Sequence, residues 1–281
     1  MSDHPPQTYL FVPGNRPERF AKALASGADR IILDLEDAVA PGDKAAARAA
    51  MAEWMASAGQ ASAKVLIRIN DAATPWHADD LALARSVQAL CVMLPKCEAA
   101  AQVAAVLAQL AANATVLPLI ETARGTLALP DIASAPGVAR LAFGALDYMA
   151  DLDIPADSLA LDVAASQIAV ASRAAGLASP LAGVTPALDA AKVTDDMRHA
   201  RSLGFGAKMC IHPAQVAAVR AALAPSAEEL AWAHRVLQAW QASGAGAFQL
   251  DGKMVDRPVV LKAQRIAAQA TRTDSSLIPS T

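Results

Sequence analysis

Three carboxylates close an otherwise apolar stretch, Ile31-Ile-Leu-Asp-Leu-Glu-Asp-Ala38. Its bulky apolar residues are typical of a strand buried on both faces, and Asp34, Glu36 and Asp37 come at its end. Buried carboxylates are costly unless a metal ion, a base or hydrogen-bond donors meet them. The stretch therefore indicates either a reactive site or a local network, in which the acids cap the next helix and pair with Arg or Lys.

Two further acids, Glu121 and Asp147, each follow a short apolar run. Neighbouring strands lie about 4.8 Å apart, so carboxylates at the ends of two consecutive strands can share one cation. Mg²⁺ usually takes one or two carboxylates together with waters and substrate oxygens. The structural alternative is that Asp147 caps a helix and that Glu121 pairs with Arg124 or Arg140.

Arg68 lies within an apolar run, Leu66-Ile-Arg-Ile-Asn70. A guanidinium on a buried strand needs an anion, and its planar fork matches a substrate carboxylate. The alternative is an internal ion pair with Asp34 or Glu36. The two interpretations are compatible, because such a pair would also position the fork.

Basic residues also lie near the first apolar run, where Gly14, Arg16 and Lys22 fall in a loop and the helix after it. Backbone donors at a helix start, together with cations, can bind phosphate groups. Loops of this kind are common, so the pattern alone does not establish a phosphate site.

Short apolar runs alternate with helical patterns along the chain. The candidate strands are Tyr9–Val12, Arg30–Leu35, Lys64–Ile69, Leu90–Leu94, Thr115–Ile120, Arg140–Phe143, Leu181–Val184 and Ala207–Ile211. The candidate helices between them are Pro17–Ser26, Asp43–Ser57, Asp79–Ala84, Glu98–Ala111, Ser158–Ala175 and Thr194–Leu203. Eight alternating units favour a (β/α)8 TIM barrel over an open sheet, and place the residues after the strands at one rim.

The predicted barrel domain spans residues 1–224, and the sequence changes character from Pro225 onward. Ser226–Ala242 begins with a helix-start signature, Gly244-Ala-Gly246 breaks the pattern, and Val259–Ala270 forms a last helix. Residues 225–281 are therefore predicted to be a C-terminal helical arm. This arm either covers the barrel or contacts another subunit.

Composition narrows the function classes. The net charge of −3 gives no electrostatic reason to expect nucleic acid or an anionic membrane, and no apolar run approaches the roughly 18 residues of a membrane span. The first residues do not resemble a signal peptide. Three cysteines, Cys91, Cys97 and Cys210, lack zinc-site spacing, which favours a reducing cytoplasm.

Seven sequence blocks, taken in order, resemble the citrate lyase beta-subunit-like family of CoA-ester lyases, which act on malyl-, citramalyl- and citryl-CoA. The blocks are Leu10-Phe-Val-Pro-Gly-Asn15, Ile32-Leu-Asp-Leu-Glu-Asp-Ala-Val-Ala-Pro41, Arg68-Ile-Asn70, Leu94-Pro-Lys96, Leu119-Ile-Glu-Thr-Ala-Arg-Gly125, Gly204-Phe-Gly-Ala-Lys-Met-Cys-Ile-His-Pro-Ala-Gln215 and Asp251-Gly-Lys-Met-Val-Asp-Arg-Pro258. The resemblance extends from about Tyr9 to Ala270. It is specific for the family and not for the substrate.

The resemblance implies a barrel that assembles as a homotrimer or hexamer. It implies Mg²⁺ held by Glu121 and Asp147, and a substrate carboxylate or keto acid held by Arg68. It also implies that Asp256 reaches a neighbouring subunit's active site and acts there in proton transfer.

The resemblance further implies a CoA thioester substrate, whose CoA moiety is held by Phe11, Arg16 and Lys22. Glu36 and Asp37 are expected to orient Arg68 or water on the metal.

Two positions depart from the family pattern. Ala182 stands where relatives commonly carry Asp, and Ala165 where many carry Arg. Neither change removes a predicted metal ligand or Arg68, so the departures affect the prediction of the substrate and not that of the chemistry.

The predicted reaction is Mg-dependent cleavage of a 3-hydroxyacyl-CoA to a 2-keto acid and acetyl-CoA or a homologue. Several alternatives stay open: thioester hydrolysis of the same CoA esters, a CoA-independent hydroxy-acid aldolase, and a citrate lyase beta subunit acting on a carrier-bound thioester. A non-catalytic CoA-binding subunit is the alternative of a different class.

Overall fold

The computed structural model describes residues 5–243 and 247–275. The chain separates into two compact units, Met1–Ala222 and Leu223–Thr281.

The first unit is a closed barrel of eight parallel strands in sequence order. The strands are β1 Thr8–Pro13, β2 Arg30–Asp34, β3 Val65–Arg68, β4 Cys91–Leu94, β5 Thr115–Ile120, β6 Ala142–Phe143, β7 Leu181–Ala182 and β8 Ala207–Cys210. Pairing of β1 with both β2 and β8 closes the ring. The predicted (β/α)8 barrel is confirmed.

Alternate residues of the strands fill the barrel with apolar side chains. This interior cluster consists of Tyr9, Ile32, Leu66, Met93, Leu117, Leu119, Ala142, Leu181, Ala207 and Met209. Intervening residues such as Ile31 and Val92 are equally buried, because they pack outward against the helices. The interior is thus a packed core, which leaves chemistry to the residues at the strand ends.

Ten helices follow the strands of this unit within its described residues. They are α1 Phe20–Leu24, α2 Lys44–Ser57, α3 His77–Ser86, α4 Ala100–Leu107, α5 Ala123–Leu127, α6 Leu129–Ser134, α7 Ala145–Leu152, α8 Leu159–Ala174, α9 Ala190–Ser202 and α10 Ala214–Leu223.

Observed boundaries differ from the predicted ones mainly between residues 98 and 152. The predicted helix Glu98–Ala111 is shorter, because Gln102 caps the chain at Ala99 and fixes the start of α4. Three short helices, α5 to α7, have no counterpart among the predicted elements. Thr122 caps α5 through the N–H of Gly125, and Pro130 opens α6. The predicted helix Pro17–Ser26 begins as a 3-10 turn before α1.

The second unit contains two helices and a hairpin: α11 Ala227–Ala242, β9 Phe248–Leu250, β10 Lys253–Val255 and α12 Arg257–Ser275. Ser226 and Glu229 form a capping box at the start of α11, as the sequence signature indicates. Ala233, Val236, Val260 and Ala263 lie in a small apolar core of this unit. The predicted break at Gly244–Gly246 lies outside the described residues.

No helix in the described parts of the chain has both the length and the hydropathy needed to cross a membrane.

Candidate active site

The centre of the rim is a buried ion pair between Arg68 and Asp34. Asp34 and Arg68 are register partners at the ends of β2 and β3. Nε and Nη2 of Arg68 donate to the two carboxylate oxygens of Asp34 at 2.7 and 2.6 Å. The backbone N–H groups of Glu36 and Ala38 donate to the same two oxygens at 2.9 and 3.2 Å. Four donors therefore satisfy a carboxylate that is 1% exposed.

Glu36 extends this pair into a cluster. Its Oε2 lies 2.8 Å from Nη1 of Arg68 as an ion pair without hydrogen-bond geometry, and its Oε1 accepts from Nζ of Lys96 at 3.5 Å. The pKa of Glu36 is raised to about 7, chiefly by burial; Arg68 opposes this rise and Asp37 adds to it. Burial lowers the pKa of Arg68, but Asp34, Glu36 and Asp37 outweigh that effect and raise it. The cluster keeps Arg68 charged and leaves Glu36 able to exchange a proton near neutral pH.

A second buried network holds the loop that carries Glu36. Nζ of Lys44 donates to the backbone carbonyls of Leu35 and Glu36 at 2.8 and 3.0 Å and to Oδ1 of Asn70 at 2.7 Å. Oδ2 of Asp80 accepts from the backbone and side-chain N–H of Asn70 at 2.8 and 2.6 Å. The loops after β2 and β3 are therefore fixed to each other by buried polar contacts.

Glu121 is buried at the end of β5, and its surroundings are acidic. Its Oε1 accepts from the backbone N–H of Lys96 at 2.7 Å. A Cβ at Gly144 would collide with the carboxylate, so this glycine leaves the space that the carboxylate fills. The pKa of Glu121 is raised to about 8, chiefly by burial and also by the negative charges of Glu36 and Asp147. Without a cation, this carboxyl therefore prefers its proton at neutral pH.

Asp147 lies in the first turn of α7, where Gly144 rather than Asp147 is the N-cap. Arg124 pairs with Glu98 at 4.0 Å, and Arg140 donates to backbone carbonyls of Ser179 and Pro6. Among the described contacts, Glu121 accepts its hydrogen bond from the backbone of Lys96. Glu121 and Asp147 are instead brought within electrostatic reach of each other.

The donor set fits a hard divalent cation. In residues 5–243 and 247–275, no group of three or more His, Cys, Asp or Glu side chains is arranged to hold a metal. Mg²⁺ does not need three such ligands, because it usually binds one or two carboxylates and completes its shell with water and substrate oxygens. Glu121 and Asp147, whose negative charges repel each other, supply two.

Other predicted site residues lie around the first strand. The ring of Phe11 faces the guanidinium of Arg68 at 4.7 Å, so this half-buried side chain supports the ion-pair cluster. Arg16 is exposed and pairs with Glu18 at 2.7 Å, and Lys22 is exposed on α1. Their role in holding CoA remains a prediction.

Asp256 and Asp37 complete the predicted set. Asp256 belongs to the second unit and accepts from the backbone N–H of Val259 at 3.3 Å, just before α12. Asp37 is exposed, with its carboxylate 3.7 Å from Nη1 of Arg68. Ala182 and Ala165, the two departures, are both buried, and Ala182 is the register partner of Lys208.

Lys96 lies in one of the family blocks, Leu94-Pro-Lys96, but the sequence predicted no role for it in the site. Its backbone lies in the left-handed region, with a φ of 45°, which costs a non-glycine residue about 1 kcal/mol. Lys44, Asn70 and Asp80 were also missed as supporting residues. Asn70 directly follows the predicted strand Lys64–Ile69, and Lys96 follows Leu90–Leu94 after one residue; these positions were the signal that could have found them.

Residues 7–213 match the family model described as HpcH/HpaI aldolase/citrate lyase. The chain belongs to this family.

Two relatives and one solved structure illustrate the similarity. A citrate lyase subunit beta-like protein from Mycobacterium tuberculosis is 40% identical, covering 95% of this chain and 96% of that protein. A (3S)-malyl-CoA thioesterase from Cereibacter sphaeroides is 32% identical over 95% of both chains. The crystal structure of CitE from M. tuberculosis in complex with magnesium, acetoacetate and coenzyme A superposes with a TM-score of 0.85 at 38% identity, covering 95% of this chain and 98% of that one.

Replacing Asp34 by Asn tests whether the ion pair organises the rim. The variant removes the negative charge that Asp34 places beside the buried guanidinium of Arg68. It also puts an amide N–H where the carboxylate accepts hydrogen bonds from N–H groups. We expect the free energy of unfolding to fall by about 3 kcal/mol, measured by chemical denaturation.

Asp79→Asn is the matched control, because Asp79 also pairs with an arginine but its side chain is 67% exposed. We expect this change to cost less than about 1 kcal/mol. Equal, small losses in the two variants would contradict the importance of the buried pair.

Proposed function

We propose that this protein is a Mg-dependent carbon–carbon lyase. It cleaves a 3-hydroxyacyl-CoA of the malyl-, citramalyl- or citryl-CoA type to a 2-keto acid and acetyl-CoA or a homologue. The observation that carries the proposal is the buried carboxyl group of Glu121, which lies within electrostatic reach of Asp147, Glu36 and Arg68. The similarity to CitE, whose structure contains magnesium, acetoacetate and coenzyme A, supports the same assignment.

In this proposal Glu121 and Asp147 hold Mg²⁺, which when bound polarises substrate oxygens as a Lewis acid. Arg68, held by Asp34, meets the carboxylate of the keto acid portion. The fixed position of the guanidinium lowers the cost of orienting the substrate at the rim. Glu36 sits between Arg68 and Lys96, where its raised pKa allows it to take up or release a proton.

Asp256 is the proposed proton-transfer residue for the acyl-CoA fragment. Cleavage moves the electrons of the broken carbon–carbon bond onto the carbon next to the thioester, and that carbon must then receive a proton. The carboxyl group of Asp256 supplies this proton from the arm of a neighbouring subunit.

The arm itself has features of a subunit contact. Trp232 and Trp240 are half-buried at the surface of its core, and Met254 is 68% exposed. Large apolar and aromatic side chains of this kind are enriched at protein interfaces. We propose that the chain forms a homotrimer or hexamer in which residues 225–281 contact a neighbouring barrel.

The CoA moiety of the substrate is the proposed ligand of Phe11, Arg16 and Lys22. Arg16 and Lys22 are exposed cations near the end of β1 and on α1, which suits the phosphate groups of CoA. Phe11 lies deeper, against Arg68.

Thioester hydrolysis of the same CoA esters is the second candidate. It is favoured by one observation, the 32% identity to a protein named (3S)-malyl-CoA thioesterase. Both reactions can use one metal site and one CoA site, so their products must be separated by experiment.

The proposed reaction predicts a specific pair of products. With Mg²⁺ and malyl-, citramalyl- or citryl-CoA, we expect at least one ester to give its keto acid (glyoxylate, pyruvate or oxaloacetate) together with acetyl-CoA. Mass spectrometry of the first turnovers measures both products.

Free CoA and the intact hydroxy acid as first products would favour hydrolysis instead. Cleavage of the free hydroxy acids, or of an ester on an acyl carrier only, would identify the aldolase or the citrate lyase subunit. Cleavage of no substrate by protein that binds Mg²⁺ would contradict the lyase proposal.

Asp256→Asn should lower turnover by roughly 100-fold or more and leave Mg²⁺ affinity unchanged, because it removes a proton-transfer group and no metal ligand. Steady-state kinetics and calorimetry measure the two quantities. Asp251→Asn is the control, because this exposed acid of the same unit pairs only with Arg235 among the described residues.

Mixing subunits tests whether Asp256 acts between chains. Asp256→Asn and Glu121→Gln subunits are each expected to be inactive alone. Random reassembly should restore roughly a quarter of the wild-type turnover, from neighbours that combine an intact barrel with an intact arm. An equal loss of Mg²⁺ affinity and turnover in Asp256→Asn would argue against the role, and failed restoration would argue against the intersubunit arrangement.

A further inference from the structure

The guanidinium of Arg68 is already engaged by acids of the chain itself. Its Nε and Nη2 bind Asp34 at 2.7 and 2.6 Å, and its Nη1 lies 2.8 Å from Glu36. Two of its five N–H groups therefore bind Asp34, and Glu36 lies beside a third nitrogen, so the positive charge is shared with acids of the chain. An anionic substrate that enters this rim therefore meets an Arg68 whose charge is already shared with two acids, and a second cation beside it would strengthen its binding.

Lys96 is a second cation of the cluster, and most of its donors are unused among the described residues. An ammonium group has three N–H donors. Within residues 5–243 and 247–275, its one hydrogen-bond partner is Oε1 of Glu36, at 3.5 Å. This contact is longer than the usual charge-assisted hydrogen bond of about 2.8 Å. The side chain is 37% exposed, so its remaining donors are accessible to a ligand.

The main chain ties Lys96 to the proposed metal site. Its N–H holds Oε1 of Glu121 at 2.7 Å, and its φ of 45° is the left-handed conformation that non-glycine residues rarely adopt. Strained backbone of this kind is concentrated at functional sites, where surrounding contacts maintain it. The ammonium is also within electrostatic reach of both Glu121 and Asp147. One residue thus connects Glu121 with the Arg68 cluster.

We infer that Lys96 is a substrate-binding residue whose ammonium donates a hydrogen bond to a negatively charged oxygen of the substrate's acyl portion. This inference rests on the proposed lyase function. Two substrate oxygens have the required chemistry: a carboxylate oxygen of the keto acid, and the thioester oxygen. The thioester oxygen becomes an enolate oxygen when the broken bond leaves its electron pair on the neighbouring carbon, and such an oxygen needs a positioned donor.

Lys96→Gln tests the inference, because it removes the charge, keeps the backbone N–H to Glu121 and leaves a non-glycine residue at the same φ. Lys64→Gln is the matched control: this exposed lysine precedes β3, at the end of the barrel opposite the rim. Lys96→Arg keeps the charge. Thermal unfolding and Mg²⁺ calorimetry on all three variants verify that the fold and the metal site are intact.

Two measurements distinguish the two oxygens. The first is the affinity for pyruvate, glyoxylate and oxaloacetate with saturating Mg²⁺. The second is the rate at which the methyl group of acetyl-CoA exchanges hydrogen for deuterium in heavy water, which reports formation of the enolate. A roughly tenfold loss of keto acid affinity in Lys96→Gln assigns Lys96 to the carboxylate. A roughly 100-fold loss of exchange rate with unchanged keto acid affinity assigns it to the enolate oxygen.

The inference is overturned if Lys96→Gln matches wild type in both measurements while the wild-type protein cleaves its ester. It is also overturned if Lys96→Gln loses Mg²⁺ affinity in the same proportion as the other activities, or if Lys96→Arg is as impaired as Lys96→Gln. A wild-type protein that neither cleaves any ester nor exchanges acetyl-CoA contradicts the proposed lyase function itself.

Discussion

The structure of the rim depends on one buried interaction, the two-pronged ion pair between Arg68 and Asp34. Removing both charges from water is expensive, and the pair is tolerable because four donors satisfy Asp34 and a second acid, Glu36, adjoins the guanidinium. Adjacent strands in register place the two residues side by side. Strand pairing in the barrel therefore orients the guanidinium of Arg68 at the same end of the barrel as Asp34 and Glu36.

A surplus of negative charge follows from this arrangement. Glu36, Asp37, Glu121 and Asp147 all act on Lys96, and Glu121 is buried so deeply that its carboxyl favours the proton. A bound divalent cation would reduce the repulsion among these carboxylates; without it, protonation of Glu121 reduces the repulsion. A group whose pKa rises on folding destabilises the folded state as pH increases toward that pKa. The metal-free barrel is thus expected to lose stability between about pH 5 and 8, and bound Mg²⁺ to restore it.

Much of this architecture was predictable from sequence, because buried parallel strands are apolar runs and a barrel places the residues after them on one rim. The pairing of Arg68 with Asp34 and Glu36 was among the alternatives, since all three stand at strand ends. The short helices between residues 123 and 152 were not predictable from periodicity, because they are too brief to show a face. The position of Lys96 at the rim was predictable from the strand before it, but its left-handed backbone was not, because no sequence pattern around Pro95 encodes it.

The most direct test of the account is Mg²⁺ binding measured by calorimetry from pH 6 to 9 in two buffers with different ionisation enthalpies. Because Glu121 must lose its proton to bind the metal, binding should release about one proton below pH 8, and affinity should fall up to about tenfold per pH unit below that value. Glu121→Gln should abolish Mg²⁺ binding, and with it the proton release and the pH dependence. Mg²⁺ affinity that is independent of pH, or that survives in Glu121→Gln, would contradict the proposal that this buried acid holds the metal.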